Sequence, residues 1–128
     1  MEEDVAKAMV VDDSGTVRTM AKGLLSGLGF AIAGEAASGE DALLLYDEVL
    51  PHFVLLDIHM PGIDGIDTLA QLMQKDPDLN VVMLTSASNL HIMDDALYNG
   101  AKGFIQKDQN IEAIEAQLQA VIHKIYYA

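Results

Sequence analysis

The sequence predicts an α/β fold, a doubly wound sheet of five parallel strands with helices on both faces. Short, continuous apolar runs, typical of strands buried on both faces, alternate with segments whose apolar residues recur at helical spacing. This alternation runs through the chain with no linker, repeat or low-complexity segment between the elements. Strands that alternate with helices in this way form parallel sheets joined by right-handed crossovers.

The first two strand–helix pairs occupy the amino-terminal part of the chain. The apolar run 8–11 predicts the first strand, and apolar residues at helical spacing over 17–28 predict the first helix. A weaker second strand is predicted at 31–33. Ser38, with Asp41 three residues later, resembles a capping box, so the second helix is expected to begin there.

The third strand is the clearest of the five. Phe53-Val54-Leu55-Leu56 is continuously apolar, and the turn signals Pro61-Gly62 and Asp64-Gly65 follow it. Apolar residues at helical spacing over 66–73 then predict the third helix. The run 81–84 predicts a fourth strand that is buried like the third.

The last two helices are marked by asparagines at their starts. Asn89 is expected to cap a short helix that ends at Tyr98, and Asn110 a long one that extends to Ile125. Between them, 103–106 predicts the fifth strand, which is the least apolar and is therefore expected at an edge of the sheet.

The size and charge of the chain restrict its class. A length of 128 residues is that of one ordinary domain, and we expect residues 1–128 to form it. The absence of cysteine excludes disulfides and thiolate metal sites. The net charge of −13 disfavours binding to nucleic acid or to anionic membranes. The acidic amino terminus is unlike a secretory signal, and no apolar stretch is long enough to span a bilayer, so a cytoplasmic location is expected.

Four points in the chain carry chemistry at the ends of predicted strands: Asp12-Asp13, Asp57, Thr85 and Lys107. In a parallel sheet these points meet at the carboxyl edge, where open α/β sheets bind their ligands. Carboxylates are the oxygen ligands that Mg²⁺ takes, and Mn²⁺ accepts the same ligands. The hydroxyl and the ammonium remain to bind an anion. The set therefore predicts a metal-assisted phosphoryl site.

Each residue taken alone has a simpler interpretation. Asp13 or Ser14 could cap the first helix, and Asp57 could be a turn residue. Thr85 could be an ordinary β-branched strand residue, and Lys107 could be a solvated charge. These interpretations must explain every residue separately, whereas one cation site explains them together, because adjacent carboxylates repel each other unless a cation lies between them.

The motifs at these four points resemble the receiver domain of two-component response regulators, most closely the single-domain chemotaxis type. The resemblance covers essentially the whole chain and implies a flavodoxin-like (βα)5 fold with strand order 2-1-3-4-5. The matching segments are Val10-Val11-Asp12-Asp13-Ser14, Leu55-Leu56-Asp57-Ile58-His59-Met60-Pro61-Gly62, Leu84-Thr85-Ser86 and Phe104-Ile105-Gln106-Lys107.

The resemblance implies a role for each acidic residue. Asp57 would be the phosphoacceptor, charged by a histidine kinase or a histidine phosphotransfer protein. Mg²⁺ (or Mn²⁺) would be bound by Asp13, Asp57 and the backbone carbonyl of His59, and Asp12 would hold a metal-bound water. The receiver would promote its own phosphorylation and dephosphorylation without being an enzyme that acts on a separate substrate.

The resemblance also implies a switch. Lys107 would contact the phosphoryl group, Thr85 would move toward it, and Phe104, at the position of the family's switch aromatic, would turn inward. The surface formed by the fourth helix, fifth strand and fifth helix would change and signal to a downstream output protein or output domain.

The chain departs from the family pattern after the lysine. Asp108 stands where the family usually has proline, so an ion pair between Asp108 and Lys107 is expected before phosphorylation. Acidic residues at this place are familiar in regulators with a helix-turn-helix output domain, so the chain could be the receiver of a longer protein. His59 and Ala87 occupy the positions that tune the lifetime of the phosphoryl group, and the small Ala87 is expected to admit water.

Three other functions fit the sequence less well than the receiver does. A Mg²⁺-dependent phosphatase of the haloacid dehalogenase type would open with Asp-x-Asp-Gly-Thr, but Ser14 stands where its general acid belongs. A flavin mononucleotide binder would not place two carboxylates in its phosphate loop. A receiver-like scaffold that is never phosphorylated has no need of mutually repelling acids at one site.

Overall fold

The computed structural model describes residues 5–86 and 89–127. Across this part of the chain, five strands alternate strictly with five helices. Their bounds are β1 Lys7–Val11, α1 Gly15–Gly27, β2 Ala31–Ala36, α2 Gly39–Val49, β3 Phe53–Leu56, α3 Gly65–Lys75, β4 Asn80–Thr85, α4 Leu90–Tyr98, β5 Gly103–Gln106 and α5 Ile111–Tyr127.

The strands form one parallel sheet in the order β2-β1-β3-β4-β5, so the predicted fold class and strand order are confirmed. β1 lies beside β3, with Val11 opposite Leu56 in the register. β5 lies at an edge, as its low apolar content predicts. Because all strands point the same way, the residues after β1, β3, β4 and β5 emerge along a single edge of the sheet.

Side chains cap the helices where the sequence places polar residues. Ser38 accepts a hydrogen bond from the Asp41 N–H, Asn89 from the Ile92 N–H, and Asn110 from the Ala113 N–H. These contacts satisfy amide groups that have no partner within their own helix. No helix in the described ranges combines the length and the apolar character needed to cross a membrane.

Two strands extend past their predicted carboxyl ends. β2 continues to Ala36, three residues past the predicted end, because its pairing with β1 carries on through polar Glu35. β4 runs from Asn80 to Thr85, so Thr85 is the last residue of the strand and does not follow it. Both extensions add backbone pairing where the side-chain pattern alone gives no signal.

The sheet separates two apolar layers. Along β1, Met9 and Val11 face the layer under α2, α3 and α4, whereas Ala8 and Val10 face the layer under α1 and α5. This alternation follows from the two-residue period of a strand. β3 is buried at every position, which explains its continuous apolar sequence. The two layers hold the strand ends in fixed relative positions.

Candidate functional site

Three carboxylates meet at the carboxyl edge of the central strands. Asp12 and Asp13 follow β1, Asp57 follows β3, and each offers an oxygen within 4.8 Å of the others. Asp12 and Asp57 are each only 2% exposed, whereas Asp13 is exposed. Buried carboxylates this close repel each other unless a cation lies among them.

The ammonium of Lys107 is the cation that the structure places there. It donates to Asp12 Oδ2 at 2.9 Å and to Asp57 Oδ2 at 3.0 Å. The lysine thus lies with these two carboxylates instead of with Asp108, with which it forms no ion pair in the described part of the chain. The predicted Lys107–Asp108 ion pair is therefore wrong, and Lys107 instead bridges the carboxylates that follow β1 and β3.

Burial and ion pairing shift two pKa values in this cluster. Burial raises the pKa of the Asp12 carboxyl, and the neighbouring Asp57 charge adds to this effect, although hydrogen bonds from Lys107 and from the Ser14 N–H oppose it. Burial on its own lowers the pKa of Lys107, but the hydrogen bonds and charges of the two aspartates outweigh it and raise the pKa above its usual value. The site therefore holds a charged lysine at neutral pH.

Backbone amides orient the two buried carboxylates. The Ile58 N–H donates to Asp57 Oδ1 at 2.8 Å, and the Ser14 N–H donates to Asp12 Oδ1 at 2.9 Å. Ser14 also caps α1 by accepting a hydrogen bond from the Val17 N–H, so the capping role proposed for Asp13 or Ser14 belongs to Ser14. Asp13 is therefore not the N-cap of α1.

Thr85 and Phe104 lie on the two strands next to this cluster, and His59 lies in the loop that follows Asp57. Thr85 is fully buried at the end of β4, and its carbonyl accepts a hydrogen bond from the Lys107 N–H at 3.0 Å. Phe104 lies opposite Met83 in the β4–β5 register and is partly buried against the apolar layer under α2, α3 and α4. His59 is exposed in the loop after Asp57. Ala87, the proposed lifetime position, lies outside the described residues.

Arg18 supports the site, although no sequence pattern singled it out. Its guanidinium donates to the backbone carbonyl of Asp12 at 2.8 Å and to Glu35 at 2.7 Å. Glu35 also pairs with Lys22 at 2.5 Å, and hydrogen bonds from Lys22 and Arg18 lower the pKa of the Glu35 carboxyl. The only signal in the sequence was the helical register of Arg18, one turn after the Ser14 cap.

The loop after Asp57 is held against α3 by a close backbone contact. The Gly65 N–H donates to the Ile58 carbonyl at 2.8 Å, and a Cβ at Gly65 would lie 2.0 Å from the Asp57 carbonyl oxygen. Only glycine fits such an approach. The sequence marked Asp64-Gly65 as a turn signal, but it did not reveal that the glycine touches the backbone of Asp57.

The donor set suits a hard divalent cation. Three carboxylates supply oxygen ligands of the kind that Mg²⁺ prefers, and one of them, Asp13, is open to solvent, so part of the hydration shell can be retained. The cluster contains no imidazole or thiolate that would favour a softer metal. The residues present therefore fit Mg²⁺ chemically.

Comparison with known proteins identifies relatives along nearly the full chain. The family model of the response regulator receiver domain matches residues 8–119. The chemotaxis protein CheY of Listeria monocytogenes is 42% identical over 113 residues, which cover 85% of this chain and 95% of that protein. The response regulator GacA of Pseudomonas aeruginosa is 34% identical over 116 residues, which cover 90% of this chain and 54% of that protein.

A solved structure shows the same architecture. A chain in the crystal structure of the CheX–CheY–BeF3–Mg complex from Borrelia burgdorferi matches with a TM-score of 0.84 and 30% identity. The match covers 91% of this chain and 89% of that chain. The likeness therefore extends over most of the fold.

Proposed function

The chain belongs to the response regulator receiver domain family, and from this membership we propose that Asp57 is the residue that accepts the phosphoryl group. Members of this family are phosphoacceptors of two-component signalling. The observation that carries the proposal is the Lys107 bridge to Asp12 and Asp57, which joins the family's acidic and basic motifs at one point. A side chain so placed can neutralise charge on a group attached to Asp57.

The reaction is an in-line phosphoryl transfer from a phosphohistidine. A carboxylate oxygen of Asp57 forms a bond to phosphorus, the phosphorus–nitrogen bond breaks, and the leaving imidazole takes up a proton. The Ile58 N–H holds one Asp57 oxygen in place, so the carboxylate is oriented before the donor arrives. Burial removes most of the water that would otherwise solvate this nucleophile.

Lys107 and Thr85 are the groups that would meet the new phosphoryl oxygens. The Lys107 ammonium already contacts Asp57 Oδ2, and its long side chain can follow the charge outward when that oxygen is esterified. Thr85 lies at the end of the adjacent strand and can turn its hydroxyl toward the same place. The Phe104 side chain would then move deeper into the apolar layer under α2, α3 and α4, against which it already packs.

A divalent cation completes this site. We assign it to Asp12, Asp13, Asp57 and the backbone carbonyl of His59, with Asp12 acting through a bound water. Mg²⁺, for which Mn²⁺ can substitute, would reduce the repulsion between the incoming phosphoryl oxygens and the three carboxylates. The chain's own contribution is to hold these oxygens close together before the cation arrives.

The output surface is proposed to include α4, β5 and α5. Leu90 and Tyr98 on α4 are 72% and 91% exposed, and Ile111 at the start of α5 is 49% exposed. These three exposed side chains lie on elements of the proposed output surface, where an apolar contact with another protein could form. A histidine kinase or histidine phosphotransfer protein would supply the phosphoryl group in the cytoplasm, and an output protein or domain would read the altered surface.

We further propose that residues 1–128 form one receiver domain and that it hydrolyses its own aspartyl phosphate slowly. The phosphatase alternative lacks support at Ser14, whose hydroxyl accepts a hydrogen bond from the α1 backbone where a general acid would be required. We therefore propose that the site acts on its own phosphoryl group and not on a separate substrate.

The test is direct phosphorylation by a small donor. The protein is incubated with acetyl phosphate and Mg²⁺, and its intact mass is measured. We expect the wild type to gain the mass of one phosphoryl group and Asp57→Asn to gain none. Asp94→Asn removes an exposed carboxylate of the same type on α4 and should react like the wild type. A wild type that stays unmodified would support the scaffold alternative, and modification of Asp57→Asn would assign the acceptor elsewhere.

A further inference from the structure

The loop that carries Lys107 lacks the proline usual in the family, and side-chain amides hold it instead. Gln109 donates from Nε2 to the Gln106 carbonyl at 2.8 Å, which closes the turn after β5. The same Nε2 donates to Gln117 Oε1 at 3.1 Å, and Gln117 Nε2 donates to Gln109 Oε1 at 2.9 Å. Two amides thus pair reciprocally between the loop and the second turn of α5.

The orientation of this amide pair follows from its surroundings. The Gln106 carbonyl can only accept, so the nitrogen of the Gln109 amide must face it. That choice turns the Gln109 oxygen toward α5, where the nitrogen of Gln117 donates to it. The three hydrogen bonds are therefore mutually consistent, and each one reinforces the same loop geometry.

Gln109 lies two residues after Lys107 in the sequence. On one side the Lys107 N–H is fixed to the Thr85 carbonyl, and on the other Gln109 is fixed to α5. The backbone of Lys107 is thereby restrained from both directions. We propose that Gln109 and Gln117 are positioning residues that hold the Lys107 loop in register with Asp57, taking the place of the proline. This inference rests on the function proposed above.

The experiment compares single and double alanine variants at Gln109 and Gln117. Each single variant should slow phosphorylation by acetyl phosphate at saturating Mg²⁺ by about three- to tenfold, the effect of losing one or two net hydrogen bonds. The double variant should be no slower than the slower single variant, because the two residues act as one unit. The Kd for Mg²⁺, measured by calorimetry, should stay within about twofold, because the three carboxylates are untouched.

Two further variants separate positioning from general stability. Gln117→Glu keeps an acceptor for Gln109 Nε2 but turns a charged carboxylate oxygen toward Gln109 Oε1 in place of the donor, so it should react more slowly than the wild type. Gln119→Ala removes an exposed amide from the same helix that makes no hydrogen bond within the described residues, and it should match the wild type. Hydrogen exchange of the 107–110 backbone amides should quicken in the alanine variants at Gln109 and Gln117, with no change in β1 or β3.

The outcomes distinguish this inference from the function on which it rests. If the wild type is phosphorylated on Asp57 and both alanine variants react within twofold of it, the positioning role is wrong. A parallel weakening of Mg²⁺ binding, or additive losses in the double variant, would likewise overturn it. If the wild type itself is not phosphorylated, the proposed function fails, and the exchange rates of 107–110 alone still decide whether the amide pair restrains the loop.

Discussion

Replacing Lys107 by methionine tests the central ion bridge, because it removes the charge and nearly preserves the length of the side chain. The ammonium lies 2.9 and 3.0 Å from the two carboxylates, whose side chains are 3% and 2% exposed. Removing one member of a fully buried ion pair costs about 3–5 kcal/mol, since the remaining charge loses its partner. The Lys107 side chain is 17% exposed, so water screens part of this interaction. We expect the free energy of unfolding to fall by about 2–4 kcal/mol without divalent cations.

Mg²⁺ should restore part of this loss. The variant presents Asp12, Asp13 and Asp57 with no internal cation, so it should bind Mg²⁺ more tightly than the wild type does. Binding that is tenfold tighter recovers about 1.4 kcal/mol at saturation. The difference in stability between the variant and the wild type should therefore narrow by about 1–2 kcal/mol when Mg²⁺ replaces chelator.

Urea unfolding followed by far-ultraviolet circular dichroism is a suitable assay, because the chain contains no tryptophan. Lys75→Met is the matched control, since Lys75 pairs with Asp47 at the surface, where the two side chains are 36% and 59% exposed. That control should change stability by less than about 1 kcal/mol. The reasoning is refuted if Lys107→Met loses no more than the control, or if its loss is the same in Mg²⁺ and in chelator.

Three further predictions concern the charges around this site. Wild-type protein in Mg²⁺ at ten times the Kd should gain about 1.4 kcal/mol of stability, visible as a higher Tm, and an unchanged Tm would contradict an assembled cation site. Asp13→Asn should raise the free energy of unfolding in chelator and slow phosphorylation by acetyl phosphate. Because Ser14 and not Asp13 caps α1, a loss of stability would mean that the argument from repulsion among the three carboxylates is wrong. Glu35→Gln should lower stability slightly at pH 7, because the folded-state pKa of Glu35 is depressed by Lys22 and Arg18. The stabilisation by the Glu35 carboxylate is present above the unfolded-state pKa near 4.5 and is lost as the pH falls through the folded-state pKa. The free energies of unfolding of the variant and the wild type should therefore converge in acid. A difference that stays constant with pH would refute the pairing.

The positions of Asp12, Asp57 and Lys107 were predictable because they depend on the sheet alone. Once the apolar runs are assigned to parallel strands, the residues that follow them must emerge along one edge. The helix starts at Ser38 and Asn89 were predictable for a similar reason, because capping is a local interaction between residues three apart.

Contacts between distant side chains were not predictable in the same way. The bond from Arg18 to the Asp12 carbonyl and the amide pair of Gln109 and Gln117 depend on how α1 and α5 rotate about their axes. Neither contact leaves a periodic signal in the sequence. The preference of Lys107 for Asp12 and Asp57 over its neighbour Asp108 also needs coordinates, because adjacent residues of a chain need not point the same way.

The bridge made by Lys107 spans 95 residues to Asp12 and 50 residues to Asp57. The segment from Asp12 to Lys107 must therefore emerge from the ribosome before these groups can come into contact. A nascent chain that has not yet reached Lys107 would carry Asp57 without its lysine. A kinase that encountered such a chain would find no site able to accept a phosphoryl group. Phosphorylation of this receiver would thus begin only with molecules in which the segment from Asp12 to Lys107 has been synthesised and folded.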